Sequence, residues 1–205
     1  MRLVLQEFLS LDGVYQGPGS PDEDTSDGFT RGGWFVPHLD DEFEQLAGTW
    51  LGKADAFLFG RRTYLNFARD WPKMTEHPFA GILNGLPKYV ASQSLTAADC
   101  DWDPTTLLSG DILAQVAEVK RRPGRELQIH GSGRLGQSLL AAGLVDELRL
   151  AIAPVVVGEG RRLLPDGGAP AALRLLSNGT TPGGLAIHVY ESTGLPEYGT
   201  YGGGA

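Results

Sequence analysis

Three glycines, Gly131, Gly133 and Gly136, stand in the spacing G-x-G-x-x-G directly after the short alternating run 126–130 and before the helical pattern of 137–142. With no Cβ at Gly131 and Gly133 the backbone can close on an anion, and the free N–H groups of a helix starting there aim at the same point. Together with Ser132, Arg134 and Leu135, the stretch reads as a cradle for a diphosphate. A second strand-to-helix turn, Gly60-Arg61-Arg62-Thr63, offers two guanidinium forks and a hydroxyl, the donors a phosphate monoester requires. On its own, an arginine pair at a helix start equally suits a solvated face. Ser92 closes a third strand-like run, 88–91, in a small polar residue. Glu44 sits at the margin of the apolar stripe Leu39, Phe43, Leu46, Ala47, Trp50 and Leu51, at a boundary between core and cleft, with Asp40 placed to cap that helix. Gln6 shares a strand face with Val4 and Phe8, and is either a polar contact for a ligand or an amide hydrogen-bonded within a core.

Positioning these residues requires an alternation of strands and helices. Strands are expected over 2–9, 54–59, 88–91 and 126–130, and helices over 39–51, after Gly60, over 111–121 and after Gly136, which is the pattern of an α/β domain. Ligands of open α/β sheets gather beyond the carboxyl ends of the strands, where Gly60, Ser92 and Gly131 all fall. Beyond Val145 the helices stop, and runs over 148–157, 173–177 and 185–191 predict an antiparallel finish to the sheet. A Rossmann dinucleotide fold is disfavoured, because Asp146 and Glu147 precede the next strand instead of closing it. Between the first strand and first helix lies a loop, 12–37, rich in Gly, Pro and Asp and ending in Trp34-Phe35. The aromatic pair suits a lid packed over something, with a solvated acidic excursion as the alternative for 18–28.

The chain of 205 residues, 41% hydrophobic, suits a single core over 1–193, followed by a Gly-rich flexible tail over 194–205. A net charge of −8 and the absence of any basic tract argue against nucleic acid as a partner. Cys100 is alone, and the N-terminus has no long apolar run, so a soluble cytoplasmic protein with no membrane association is expected. His38, His77, His130 and His188 are too scattered for a metal site.

Taken in order, Ser10-Leu11-Asp12-Gly13, Phe59-Gly60-Arg61-Arg62-Thr63-Tyr64, Ser92, His130-Gly131-Ser132-Gly133-Arg134-Leu135, Leu144-Val145-Asp146-Glu147-Leu148 and Pro154-Val155-Val156-Val157-Gly158-Glu159-Gly160 resemble the dihydrofolate reductase-like superfamily. The branch that is most similar contains the reductase domain of the riboflavin-pathway deaminase-reductase, and the resemblance covers roughly 2–192. It implies a single-domain central mixed sheet of about eight strands flanked by helices, with NADPH across its carboxyl edge. By that resemblance Gly60, Arg61, Arg62 and Thr63 would face cofactor phosphates, Ser92 the adenosine end, and Gly131 to Leu135 the diphosphate. Glu44 falls at the family's acid and would deliver a proton if partial burial raised its pKa. Gln6 and Trp34 are the candidate substrate contacts. The implied activity is hydride transfer to a small heterocycle or its sugar imine, as in a 5-amino-6-(5-phosphoribosylamino)uracil reductase. The alternatives are a dihydrofolate or pterin reductase and a non-catalytic NADPH-binding protein. A homodimer is expected, argued from the apolar run 148–153.

Overall fold

The computed structural model describes residues 1–202. Its centre is β1 (Arg2–Ser10), whose apolar residues on both faces require cover on both sides. Seven further strands complete one sheet: β2 (Ala54–Gly60), β3 (Lys88–Ala91), β4 (Thr105–Leu108), β5 (Glu126–His130), β6 (Glu147–Ala153), β7 (Ala172–Thr180) and β8 (Ala186–Gly194), in the order β4-β3-β2-β5-β1-β6-β8-β7. The pairs from β4 through to β6 are parallel, and β8 runs antiparallel to both of its neighbours. Helices α1 (Asp41–Leu51), α2 (Arg61–Asp70), α3 (Ala80–Gly85), α4 (Ile112–Arg121) and α5 (Gly133–Ala141) cover the two faces.

Alternation along the strands divides the core. Leu3, Leu5 and Leu9 of β1 join Leu127 and Ile129 of β5 beneath Val116 and Val119 of α4 and Leu139 of α5. The opposite face packs against α1 through Phe43 and Trp50, and against α2 and α3 through Tyr64 and Leu83. Asp40 caps α1 as its sequence suggests, its carboxylate accepting from the Phe43 amide at 2.8 Å. No helix among the described residues is long and apolar enough to cross a membrane.

The eight-stranded α/β sheet with an antiparallel C-terminal part is as expected, and the differences have local causes. β6 stops at Ala153, short of the expected Val157, because Pro154 has no amide to donate and the amides of Val157 and Gly158 turn to the Asp12 carboxylate at 3.0 and 2.9 Å. β4 and α3 were not anticipated; one has four residues and the other six, too few for a period to show. The run 148–153 is no free edge: β6 lies between β1 and β8, and β7 is the exposed border. β8 extends to Gly194, and of the expected tail, Gly203 to Ala205 lie outside the described residues.

Candidate active site

Two helix starts meet at the carboxyl edge of the sheet. β2 ends at Gly60, whose amide donates to Ser132 Oγ at 3.0 Å, so the turn before α2 is tied to the turn before α5. Gly131 (φ +55°) and Ser132 (φ +64°) both adopt the left-handed conformation, reversing the chain within two residues. A Cβ at Gly131 would sit 3.5 Å from Thr63 Oγ1, which places the first turn of α2 against the cradle. The positive ends of two helices, each more than two turns long, therefore lie side by side, with exposed Arg61, Arg62 and Arg134 around them. These residues fit a dinucleotide diphosphate. Leu135 contributes backbone only, since its side chain packs into the core. Ser92 follows Ala91, the register partner of Gly60; its hydroxyl accepts from the amides of Ser94 and Leu95 at 3.2 and 3.1 Å, leaving its proton to donate.

Loop 12–37 closes over this edge. It is fastened at its start by Asp12, whose carboxylate also accepts from Ser10 Oγ at 2.6 Å. Burial alone would raise the Asp12 pKa, but the Ser10 hydroxyl and the Val157 and Gly158 amides outweigh it and hold the carboxyl far below its ordinary value. Two motifs of the sequence, Ser10 to Gly13 and Pro154 to Gly160, thus serve to fasten one another. The outer edge of the Tyr15 ring lies where a Cβ on Gly133 would be, 2.6 Å from that position. The acidic stretch is no solvated excursion: Asp24 pairs with Arg161 and lies 3.9 Å from Arg62, and the Glu23 carbonyl accepts from Asn66 Nδ2 at 3.2 Å. Trp34 requires correction as a substrate contact. It is buried in the cluster the lid shares with Phe43 and Trp50 of α1 and Ala151 of β6, and its Nε1 is spent on the Gln16 carbonyl at 2.9 Å.

On the α1 face of the sheet the polar residues form one group. Arg149 donates to Glu147 at 2.6 Å and to both oxygens of Glu126 at 3.0 and 2.7 Å; Gln128 donates to Glu126 and to the Trp50 carbonyl; and His130 Nε2 lies 3.1 Å from Gln128 Oε1. Burial, then the nearby Arg149, depresses the His130 pKa to about 4, so the ring is neutral. Gln6 completes the group on β1, between His130 on β5 and Arg149 on β6. Its Nε2 is buried and has no partner. His130 was passed over in the sequence; the available signal was its place as the last strand residue before the glycine turn.

Glu44 also requires correction. It is exposed on α1, its side chain with no hydrogen bond or ion pair among the described residues, while Phe43, Trp50 and Leu51 take the buried face. The partial burial that would make it a general acid is absent. Of the buried glutamates, Glu126 and Glu147 are paired with Arg149, whereas Glu7 on β1 has its Oε1 unpartnered.

Across residues 2–187 the chain matches the RibD C-terminal domain. It belongs to that family. An uncharacterised Bacillus subtilis protein, YyaP, is 27% identical to this RibD C-terminal-type chain over 197 residues, covering 94% of it and 96% of the relative. A solved structure described as a putative riboflavin biosynthesis protein from a Shewanella species superposes with a TM-score of 0.67 at 20% identity, covering 94% of this chain and 99% of the other. A Thermotoga maritima diaminohydroxyphosphoribosylaminopyrimidine deaminase/5-amino-6-(5-phosphoribosylamino)uracil reductase gives 0.61 at 11% identity, covering 94% of this chain and 56% of the larger protein. At these identities the structural likenesses establish the fold.

Proposed function

We propose that the protein is a cytoplasmic NADPH-dependent reductase acting on a small polar heterocycle or its sugar imine, of the kind named for the Thermotoga maritima neighbour. The observation that carries the reading is the joining of the α2 and α5 starts by the Gly60–Ser132 hydrogen bond, beside Arg61 and Arg62 and at the sheet edge next to the unpartnered amide of Gln6. When bound, NADPH would supply the hydride.

The chain's own residues do the rest. Amides of the two helix starts and the guanidinium groups of Arg61 and Arg62 would hold phosphate oxygens, and Ser92 Oγ would donate at the adenosine end. Phe8 stacks on the lid's Phe35 at a centroid distance of 4.2 Å, which holds the lid against β1. Gln6 and His130 orient the acceptor ring. His130, neutral with a pKa of about 4, retains no extra proton to give at neutral pH. The proton that completes the reduction comes from solvent.

The test is consumption of NADPH with 5-amino-6-(5-phosphoribosylamino)uracil and, separately, with dihydrofolate. Turnover of the pyrimidine is expected. Turnover of dihydrofolate alone would move the protein to the pterin reductases, and cofactor binding with neither substrate consumed would make it a non-catalytic binder.

A further inference from the structure

Within the lid, the run 19–28 contains no buried residue, although Gln16 and Phe29 on either side of it are buried. Polar contacts on two sides hold it in place. On one side Gln16 Nε2 donates to the carbonyls of Asp24 and Ser26 at 3.2 and 2.9 Å, and Arg161 pairs with Asp24 and Asp27. On the other side lies α2. Asn66 Nδ2 donates to the Glu23 carbonyl at 3.2 Å, Arg62 Nη1 lies 3.9 Å from Asp24 Oδ2, and Arg69 attracts the Glu23 carboxylate. Residues 62, 66 and 69 share one face of the helix, so the acidic run lies along that face.

The same face begins at the phosphate cradle. Arg62 is in the first turn of α2, at the helix start tied to Ser132, and Tyr15 of the lid covers Gly133 at the start of α5. The acidic run thus takes up the charge of a guanidinium that a phosphomonoester would use. Its hold on Arg62 is loose. At 3.9 Å the pair is beyond hydrogen-bond distance, and Arg62 donates no hydrogen bond among the described residues. A phosphate oxygen hydrogen-bonded to the guanidinium is the stronger partner. Asp24 loses little in the exchange, because Arg161, the Ser26 hydroxyl and the Ser26 amide at 3.1 Å still hold it. Two anions cannot share Arg62 without repelling one another, so the run draws back as a phosphate arrives.

We propose that residues 19–28 are an autoinhibitory strap: Asp24 stands in for a phosphate at Arg62, and the phosphomonoester end of the dinucleotide binds as the strap lifts from α2. The identity of that dinucleotide rests on the reductase reading above, and the strap goes beyond it by making affinity depend on contacts the cofactor does not make. With the strap closed, apparent affinity is the intrinsic affinity reduced by the fraction of molecules in which it is lifted. Weakening either tie to α2 therefore tightens binding.

The probe is adenosine 2′,5′-bisphosphate, the adenosine half of NADPH with its phosphomonoester. It is titrated calorimetrically into the full chain, and amide exchange over 19–28 is followed in the free and saturated protein. Saturation is expected to speed that exchange. Asn66→Ala changes no charge and leaves the Glu23 carbonyl to water; it should tighten binding about threefold, the order of magnitude of one weak hydrogen bond. Asp24→Asn should tighten it roughly tenfold or more, as for a charge-assisted contact. A change of local field alone would tighten Asp24→Asn and leave Asn66→Ala at the wild-type affinity. That result, exchange over 19–28 that slows or stays constant on saturation, or no binding of the probe would overturn the strap. If Asp24→Asn does not fold, Asn66→Ala and the exchange measurement decide. NADPH consumption with 5-amino-6-(5-phosphoribosylamino)uracil is measured on the same preparations. Turnover with no effect of Asn66→Ala would leave the reductase and remove the strap; tighter binding and faster exchange without turnover would leave the strap and remove the reductase.

Discussion

Glu7 occupies β1 between Leu5 and Leu9, on the face covered by α4 and α5, and burial, followed by the nearby Glu23, raises its pKa well above the ordinary carboxyl value. The folded protein therefore holds this proton to higher pH than the unfolded chain does. Stability from that proton is complete below the unfolded pKa near 4.5 and is lost as pH rises through the folded value. Glu7→Gln, which keeps the shape and removes the charge, should unfold at the wild-type temperature at pH 4 and at a progressively higher temperature as pH is raised. A constant difference across the series would contradict it. Glu44→Gln should leave turnover within about threefold, far less than the hundredfold or more of a lost general acid. The sequence located Glu44 by its distance from Ala47 and Leu51, but helix burial is set by what the sheet presents, and Phe8 and Phe35 draw Phe43 inward instead. Gln6 was legible as an odd polar residue in an apolar strand; that its Nε2 stays unpartnered depends on strand register, which no local pattern contains.

The glycine turns behave as elements rather than as residues, and both were visible as strand, glycine, helix. What their spelling did not contain is the approach of the lid. Tyr15 reaches Gly133, and Asp24 reaches Arg62 and Arg161, contacts between segments more than a hundred residues apart in the case of Gly133 and Arg161. Gly133→Ala should cost about 1–3 kcal/mol by overpacking, with Tyr15 forced from its seat. The check is a lowered melting temperature together with faster amide exchange over residues 14–16, and unchanged exchange there would show that the ring is not held by this contact. Gly136 plays the corresponding part against β1, where a Cβ would meet Leu5 at 2.9 Å. Trp34 was misassigned for a local reason: an aromatic ending a loop signals packing, but its partner, the Gln16 carbonyl, lies within the lid itself.

At the scale of the molecule the sheet has one conspicuous border. β7 exposes Leu173, Leu175 and Leu176 along an edge strand, a hazard for a solitary chain. We propose that this edge, rather than 148–153, carries the expected homodimer. Light scattering at micromolar concentration should give twice the chain mass, and Leu175→Lys should return it to one; a wild-type monomer would end the proposal. The proposed cofactor site lies elsewhere, at the carboxyl edge of the inner strands β2 and β5, where Gly60, Arg61, Arg62 and the 131–135 turn would bind the phosphates of NADPH. Calorimetric titration of the full chain with NADPH and with NADH tests it most directly. NADPH is expected to bind more tightly, and replacing Arg61 and Arg62 by alanine to remove the difference through a loss on the order of a hundredfold, about 3 kcal/mol, for NADPH. Equal affinity of the unmodified protein for the two cofactors, or binding of neither, would contradict it.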